Sequence, residues 1–245
     1  MLNKLEEMAK MQPLTQDEIV KAVRFATSSK LPDLDVIEKT LGTDEPLTLQ
    51  DRCDLYRARF PDFPAPVVVN EKRIEGLWIM GNCYQTSGYY GAYPHGYLDR
   101  IMSMFPEAKP ETTLHVPSGS LPPGIGLRID IRPECNPDIV GDCHDIKALV
   151  GDRRFDLILA DPPYSAEDAE HYGKPMVSRA KMLRSCLDVC KPGGWIIWLD
   201  QVLPMHCKDQ VDWALAIGMV KSTNHRVRGV FGFRKKEAAT CETRL

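Results

Sequence analysis

The tetrapeptide Asp161-Pro162-Pro163-Tyr164 follows directly on an apolar run, Phe155-Asp156-Leu157-Ile158-Leu159-Ala160. The run reads as a buried strand, and it would deliver the four residues to the carboxyl end of a sheet, where open α/β folds bind ligands. An amine attached to an aromatic ring is a poor nucleophile because its lone pair is delocalised. An enzyme that uses one must orient it and favour the tetrahedral nitrogen that appears during attack. A carboxylate and a backbone carbonyl together can accept both amine hydrogens and so do this. Asp161 would be the first acceptor and the Pro162 carbonyl the second. The two prolines stiffen the turn and remove competing N–H donors, and Tyr164 offers a face on which a planar ring can stack. The same residues also read as a proline-rich turn without chemistry; the strand before them favours the chemical reading.

Two further acids close strand-like runs. Asp130 ends the run 127–131, where a carboxylate can take both hydroxyls of a ribose, as acids do in dinucleotide-binding sheets. Asp142 lies just after the short run 139–141. Either acid alone reads as a helix cap. Two at successive strand ends, followed by the tetrapeptide after the next strand, describe a cofactor site.

The elements that would position these groups begin at residue 112. Short apolar runs at Thr113–Val116, 127–131, 139–141, Phe155–Ala160 and 195–199 are separated by helical patterns, which indicates buried parallel strands. Helices are expected at 145–150, at 177–190 with Lys191-Pro192-Gly193-Gly194 as the stop, and at 206–217 with Gly218 as cap. Met219 to Ser222 and Val227 to Phe233, joined by Thr223-Asn224-His225-Arg226, read as a hairpin. The segments 121–126 and 132–138 are too short for ordinary parallel crossovers, so the usual helices there must be missing. Either the N-terminal part covers a sheet left bare on one side, or one strand is misassigned.

Residues 1–66 read as a helical appendage and linker. Thr15 can cap a helix over 16–27, Thr48 can cap another over 49–60 with Asp51 as its reciprocal acid, and Pro61-Asp62-Phe63-Pro64-Ala65-Pro66 marks the boundary. Residues 67–245 are the expected catalytic domain. Between them, 76–96 is rich in glycine and in aromatics, Trp78, Tyr84, Tyr89, Tyr90 and Tyr93 among them. It leads into a helix over 97–105 and suits a loop over a flat ligand, although such aromatics also fill cores.

Composition bounds the reading. With 245 residues and 43% apolar content the chain can bury one full α/β core. It has no apolar run of about 18 residues and no signal-peptide layout at Met1 to Glu7, so a soluble, cytoplasmic protein without membrane contact is expected. The eight cysteines are scattered and read as free thiols. Cys186 and Cys190, spaced by one helical turn, read as small buried apolar residues rather than zinc ligands, and no metal is expected. The net charge of −3 withholds the global signal of a strong nucleic-acid binder. Locally, Lys221, Arg226, Arg228, Arg234, Lys235 and Lys236 gather with no acid among them, either as a phosphate-binding cluster or as a solvated strand face.

From about Gly76 to Phe233 the sequence resembles the adenine-specific amino-methyltransferases of DNA, especially the small single-chain kind common in phages and prophages. Asp161 to Tyr164 matches that family's catalytic motif in full. The resemblance implies an α/β fold of class I, Rossmann-like methyltransferase type, mostly parallel with an antiparallel C-terminal hairpin. It also implies S-adenosylmethionine as cofactor. Leu114-His115-Val116-Pro117-Ser118-Gly119-Ser120 resembles the donor-binding loop, with only Gly119 left of its glycines. Asp142 would receive the adenine amine of the cofactor. Tyr90 to Tyr97, with Tyr93 and His95, resembles the extra cofactor motif. The implied reaction is direct methylation of the N6 amine of a flipped or single-stranded adenine. In the loop after the motif, His171 and Tyr172 could close over the base, although a lone loop histidine also reads as simply solvated. Asp161 would orient the amine rather than abstract a proton first, since an ordinary carboxylate is too weak a base for a neutral amine.

The large target-recognition insertion of this family is missing. Recognition would fall to the N-terminal helices, to the loop 165–175, to a second copy in a homodimer or to a partner protein. Two rivals stand beside the DNA reading. The same tetrapeptide serves methylation of RNA bases and of glutamine side chains, with Asp161 leaning toward DNA. The degenerate donor loop would also suit a catalytically idle subunit that binds and recruits.

Overall fold

The computed structural model describes residues 34–42, 45–80, 92–171, 176–221 and 227–237. Among the described residues nine strands form one sheet: β1 (Val67–Val69), β2 (Arg73–Met80), β3 (Thr113–Val116), β4 (Leu127–Asp130), β5 (Ile139–Val140), β6 (Phe155–Ala160), β7 (Cys190–Asp200), β8 (Val211–Lys221) and β9 (Val227–Lys235). Their order across the sheet is β1-β2-β8-β9-β7-β6-β3-β4-β5. From β5 to β7 every neighbouring pair is parallel, whereas β9 runs antiparallel to both β7 and β8. An otherwise parallel, doubly wound sheet with one antiparallel strand inserted near its end is the class I methyltransferase sheet expected from the sequence. Beyond it, β2 adds parallel to β8 and β1 closes the edge antiparallel to β2.

Alternation along the strands divides the core. Leu157 and Leu159 of β6, with Trp195, Ile197 and Leu199 of β7, face helices α2 (Leu49–Arg59) and α3 (Tyr97–Met104), which supply Cys53, Tyr56, Tyr97, Ile101 and Met104 to the cluster; α1 (Leu34–Leu41) precedes them and packs on α2. Ile158, Ala160, Ile196 and Trp198 face the other way. There they meet α4 (Ile146–Val150) and α6 (Arg179–Val189), with α5 (Ala166–His171) lying between these two in sequence.

Helix α2 is polar by composition, and it is held by its ends and by packing. Thr48 and Asp51 form the expected capping box, the Asp51 N–H donating to Thr48 Oγ1 and the Thr48 N–H to Asp51 Oδ2. The Tyr56 ring stacks on Trp78 of β2 at 5.6 Å between centroids. Buried Arg52 donates to the Met104 carbonyl at 2.6 Å and lies over the Phe105 ring. Residues 49–60 thus cover one face of the sheet.

The missing crossover helices are confirmed in their places. Residues 117–126 carry β3 to β4 without a helix, and a single 3-10 turn at Pro133–Cys135 lies between β4 and β5. One expectation fails: the segment 206–217, read as a helix capped by Gly218, is irregular up to residue 210 and then strand β8. Leu215, Ile217 and Met219 are buried while Ala216, Gly218 and Val220 between them are only half-buried, the two-residue period of a strand. A span rich in Val, Trp, Ile and Leu fits a pleated surface, and pairing with β9 on one side and β2 on the other decides the matter. The hairpin is correspondingly longer than expected. Its turn, Thr223 to Arg226, lies outside the described residues, as do the expected helix 16–27, the aromatics Tyr84, Tyr89 and Tyr90, and Tyr172. Among the described residues no helix is long and apolar enough to cross a membrane.

Candidate active site

The chain runs from β3 outward to β4 and β5, then returns to place β6 on the other side of β3. This reversal makes the carboxyl ends of β3 and β6 the switch point of the sheet, the place where open α/β sheets bind ligands. The tetrapeptide leaves β6 here, facing the loop Pro117 to Ser120 that leaves β3.

Asp161 is packed deep among protein groups while keeping some solvent exposure. The Tyr164 hydroxyl donates to Asp161 Oδ1 at 2.6 Å, and Oδ2 has no partner among the described residues. Burial pushes the Asp161 carboxyl up to about 7; the Tyr164 hydrogen bond and the Arg228 guanidinium act against this, and the charges of Asp200 and Asp168 add to it. Burial also drives the Tyr164 hydroxyl well above its ordinary value, so it remains a donor. The Arg228 guanidinium lies 4.6 Å above the Tyr164 ring, so one face of the ring expected to stack on a planar substrate already carries a cation.

The turn is clamped from behind. Arg179 Nη2 donates to the Tyr164 carbonyl at 2.9 Å, and Arg179 binds Asp200 through Nε at 2.6 Å and Nη2 at 3.0 Å. Asp200 ends β7, is fully buried, and also accepts from Trp198 Nε1 at 3.2 Å and the Gln201 N–H at 2.7 Å. Neither Arg179 nor Asp200 was among the residues singled out from sequence. The signal was available, since Asp200 closes an apolar run as Asp130 does.

On the β3 side, Gly119 adopts φ +53°, where glycine is at ease, and its N–H donates to Asp130 Oδ2 at 2.7 Å. The hydroxyls of Ser118 and Ser120 are buried without a hydrogen-bond partner. Asp130 is only 3% exposed, and its other oxygen accepts the Arg132 N–H at 3.0 Å. Its visible role is therefore to shape the donor loop rather than to present a free carboxylate. Asp142, after β5, is the more open acid, with a side chain 44% exposed.

The Ser178 N–H donates to His144 Nε2 at 3.1 Å, which leaves the ring proton on Nδ1, facing Asp142 Oδ1 at 2.8 Å. The potential donors of Asp142, Cys143 and His144 lie within 4.8 Å of one another. The His144 lone pair is already engaged, however, and burial pushes the Cys143 thiol up to about 12. The trio is a hydrogen-bonded turn rather than a ligand set.

Tyr93 packs beside the strand ends. Its hydroxyl lies 3.3 Å from His115 Nδ1 and 3.5 Å from the Leu159 carbonyl, and its ring stacks on Tyr97. The Tyr97 hydroxyl is buried with no partner. His95 is exposed in the turn before α3, and among the described residues no hydrogen bond joins it to the rest. The structure thus brings together Asp161, Pro162, Pro163 and Tyr164 with Pro117, Ser118 and Gly119 at one switch point, and sets Asp130, Asp142 and Tyr93 around it.

No protein-family model and no curated protein matches the chain. Among solved structures, TrmN from Thermus thermophilus aligns with a TM-score of 0.38 and 15% identity over 56% of this chain. The match spans 48% of TrmN, about half its length. An rRNA methylase from Streptococcus thermophilus aligns with a TM-score of 0.36 and 8% identity, covering 53% of this chain and 90% of its own. The fold stands on its own strand order, and the chemistry on the side chains at the switch point.

Proposed function

We propose that this protein is an S-adenosylmethionine-dependent methyltransferase acting on the N6 amine of adenine in DNA, presented flipped out or single-stranded. The observation that carries the reading is the Asp161 carboxylate, anchored at the switch point through Oδ1 with Oδ2 left open. The Pro162 carbonyl beside it is likewise free of hydrogen bonds among the described residues. Together they offer the pair of acceptors that an aromatic amine requires.

The neighbouring loop, which leaves β3, suits the cofactor. Two buried hydroxyls without partners, Ser118 and Ser120, ask for a polar ligand, since an orphaned buried polar atom costs about 1–3 kcal/mol. Gly119 at positive φ lets the backbone approach closely, and Asp142 offers an exposed carboxylate two strands away. When bound, S-adenosylmethionine supplies an electrophilic methyl group on its sulfonium. Ser118, Gly119 and Ser120 would hold its amino-acid end, and Asp142 its adenine.

Asp161 Oδ2 and the Pro162 carbonyl accept the two amine hydrogens and point the nitrogen lone pair out of the ring plane. With its proton affinity raised to about 7, Asp161 is still far too weak to deprotonate a neutral amine. It is well matched to take the proton that the methylated, cationic amine must lose. The Arg179–Asp200 clamp fixes the Tyr164 carbonyl, and the Tyr164 hydroxyl fixes Asp161, so the acceptors are set before the substrate arrives.

The acceptor atom is tested by offering labelled cofactor with single-stranded oligodeoxynucleotides that differ only at adenine. Labelling of the adenine strand and none of a strand carrying purine, which lacks the exocyclic amine, is expected. Equal labelling of both would refute the assignment.

A further inference from the structure

The basic stretch 221–236 divides in two. Lys235 Nζ donates to the carbonyls of Leu187 at 2.7 Å and Cys190 at 2.8 Å, closing the carboxyl end of α6. Lys236 pairs with Asp212 at 3.2 Å and donates to the Lys208 carbonyl at 2.7 Å. Both serve the fold. Arg228 is different. It lies at the start of β9, where Gly229 pairs with Asp200 at the end of β7, and therefore stands on the carboxyl rim of the sheet beside the tetrapeptide.

Its guanidinium carbon lies 4.6 Å from the centre of the Tyr164 ring, and among the described residues no carboxylate pairs with it and its buried Nε has no hydrogen-bond partner. An arginine placed over the motif tyrosine, with neither an ion pair nor a hydrogen bond among the described residues, keeps its terminal N–H donors for a ligand. The planar fork matches phosphate oxygens, and stacking on an aromatic ring fixes its orientation. The tetrapeptide divides the carboxyl rim of the sheet into two sides. Ser118, Asp130 and Asp142 lie toward β3, β4 and β5, whereas Asp200 and Arg228 lie toward β7 and β9. Arg228 is thus on the side away from the groups assigned to the cofactor, and a base brought to Asp161 brings its own phosphodiesters to this rim.

We infer that Arg228 is a phosphate-binding residue that holds the DNA phosphodiester flanking the target nucleotide. The inference rests on the methyltransferase reading above and adds to it the residue that positions the polymer. A rival role, in which Arg228 only offsets the charge of Asp161, needs no phosphate and predicts no change in salt dependence.

The test is the fluorescence anisotropy of a short labelled single-stranded oligodeoxynucleotide, titrated with wild type, Arg228→Gln and Arg228→Lys at several salt concentrations. An RNA strand of the same sequence forms a second arm, and calorimetric binding of S-adenosylmethionine is the check on the fold. The Gln variant should bind DNA about tenfold more weakly, and the slope of log affinity against log salt should become shallower by about one. The Lys variant should keep the slope but regain only part of the affinity, because a point charge replaces the fork. Both should bind the cofactor as wild type does. Unchanged DNA affinity and slope in the Gln variant, with cofactor binding intact, would overturn the role of Arg228 alone. A loss confined to the RNA arm would overturn the assignment to DNA. Wild type that binds cofactor but neither strand would overturn both this inference and the substrate proposed above.

Discussion

Replacing Asp161 by Asn separates the cost of the site from its chemistry. Burial raises the carboxyl from 3.8 to about 7. The unfolded chain therefore ionises this group near its ordinary value, while the folded protein holds the proton until about 7. The contribution of Asp161 to stability is thus unimpaired below the unfolded value, declines as the pH rises, and levels off above the folded value. Asparagine carries no charge and still offers an oxygen to the Tyr164 hydroxyl, so it escapes this loss. At 1.36 kcal/mol per tenfold change in proton affinity the ceiling is about 4 kcal/mol. Residual solvent access to the carboxylate reduces it, and a gain of about 2 kcal/mol for Asp161→Asn near pH 8 is expected. Urea unfolding of both proteins at about pH 5 and about pH 8, at constant ionic strength, measures it. The gap should widen with pH while methyl transfer is lost. An equal gap at both pH values, or a wild type more stable than the variant near pH 8, would show that burial does not raise the Asp161 carboxyl.

Removing Asp200 leaves Arg179 and the Trp198 indole without their partner in a buried setting, so Asp200→Ala should destabilise by about 3–5 kcal/mol in urea unfolding. Ser118→Ala should act with opposite signs: it removes an orphaned buried hydroxyl and raises the melting temperature of the free protein, yet weakens S-adenosylmethionine binding severalfold by calorimetry. Burial pushes His115 down to about 4, so the folded protein refuses a proton that the unfolded chain takes near 6.5. Wild type should therefore lose up to about 3 kcal/mol from this group as the pH falls between those values, and the unfolding free energy of His115→Gln should lack that component.

The parallel half of the sheet was legible in the sequence because its central strands, β3 and β6, are buried on both faces and read as continuous apolar runs. Thr113–Val116 and Phe155–Ala160 fall where expected, and the tetrapeptide follows the strand it needed. The first part of β8, residues 211–217, was not legible as a strand: its apolar content satisfies a helix as well as a strand, and only pairing with β9 and β2 distinguishes them. The β1–β2 hairpin was also missed. Its turn takes positive φ at both Asn70 and Glu71, and the glutamate hides a signal that Asn-Gly would have made plain.

At the site, residue types revealed which groups could do chemistry but not how they are engaged. Asp130, expected to take ribose hydroxyls, already accepts hydrogen bonds from the Gly119 and Arg132 N–H groups. The Arg179–Asp200 clamp joins residues 21 apart and the Arg228–Tyr164 stack joins β9 to the loop after β6; neither contact has a local signature.

Methyl transfer to adenine N6 at Asp161 can be measured directly. Labelled S-adenosylmethionine should be incubated with duplex DNA, single-stranded DNA and total RNA, using wild type and Asp161→Ala, and the products digested to nucleosides. N6-methyladenine in DNA that disappears with Asp161→Ala is the expected result. Label confined to RNA, or DNA label that persists in the variant, would contradict it.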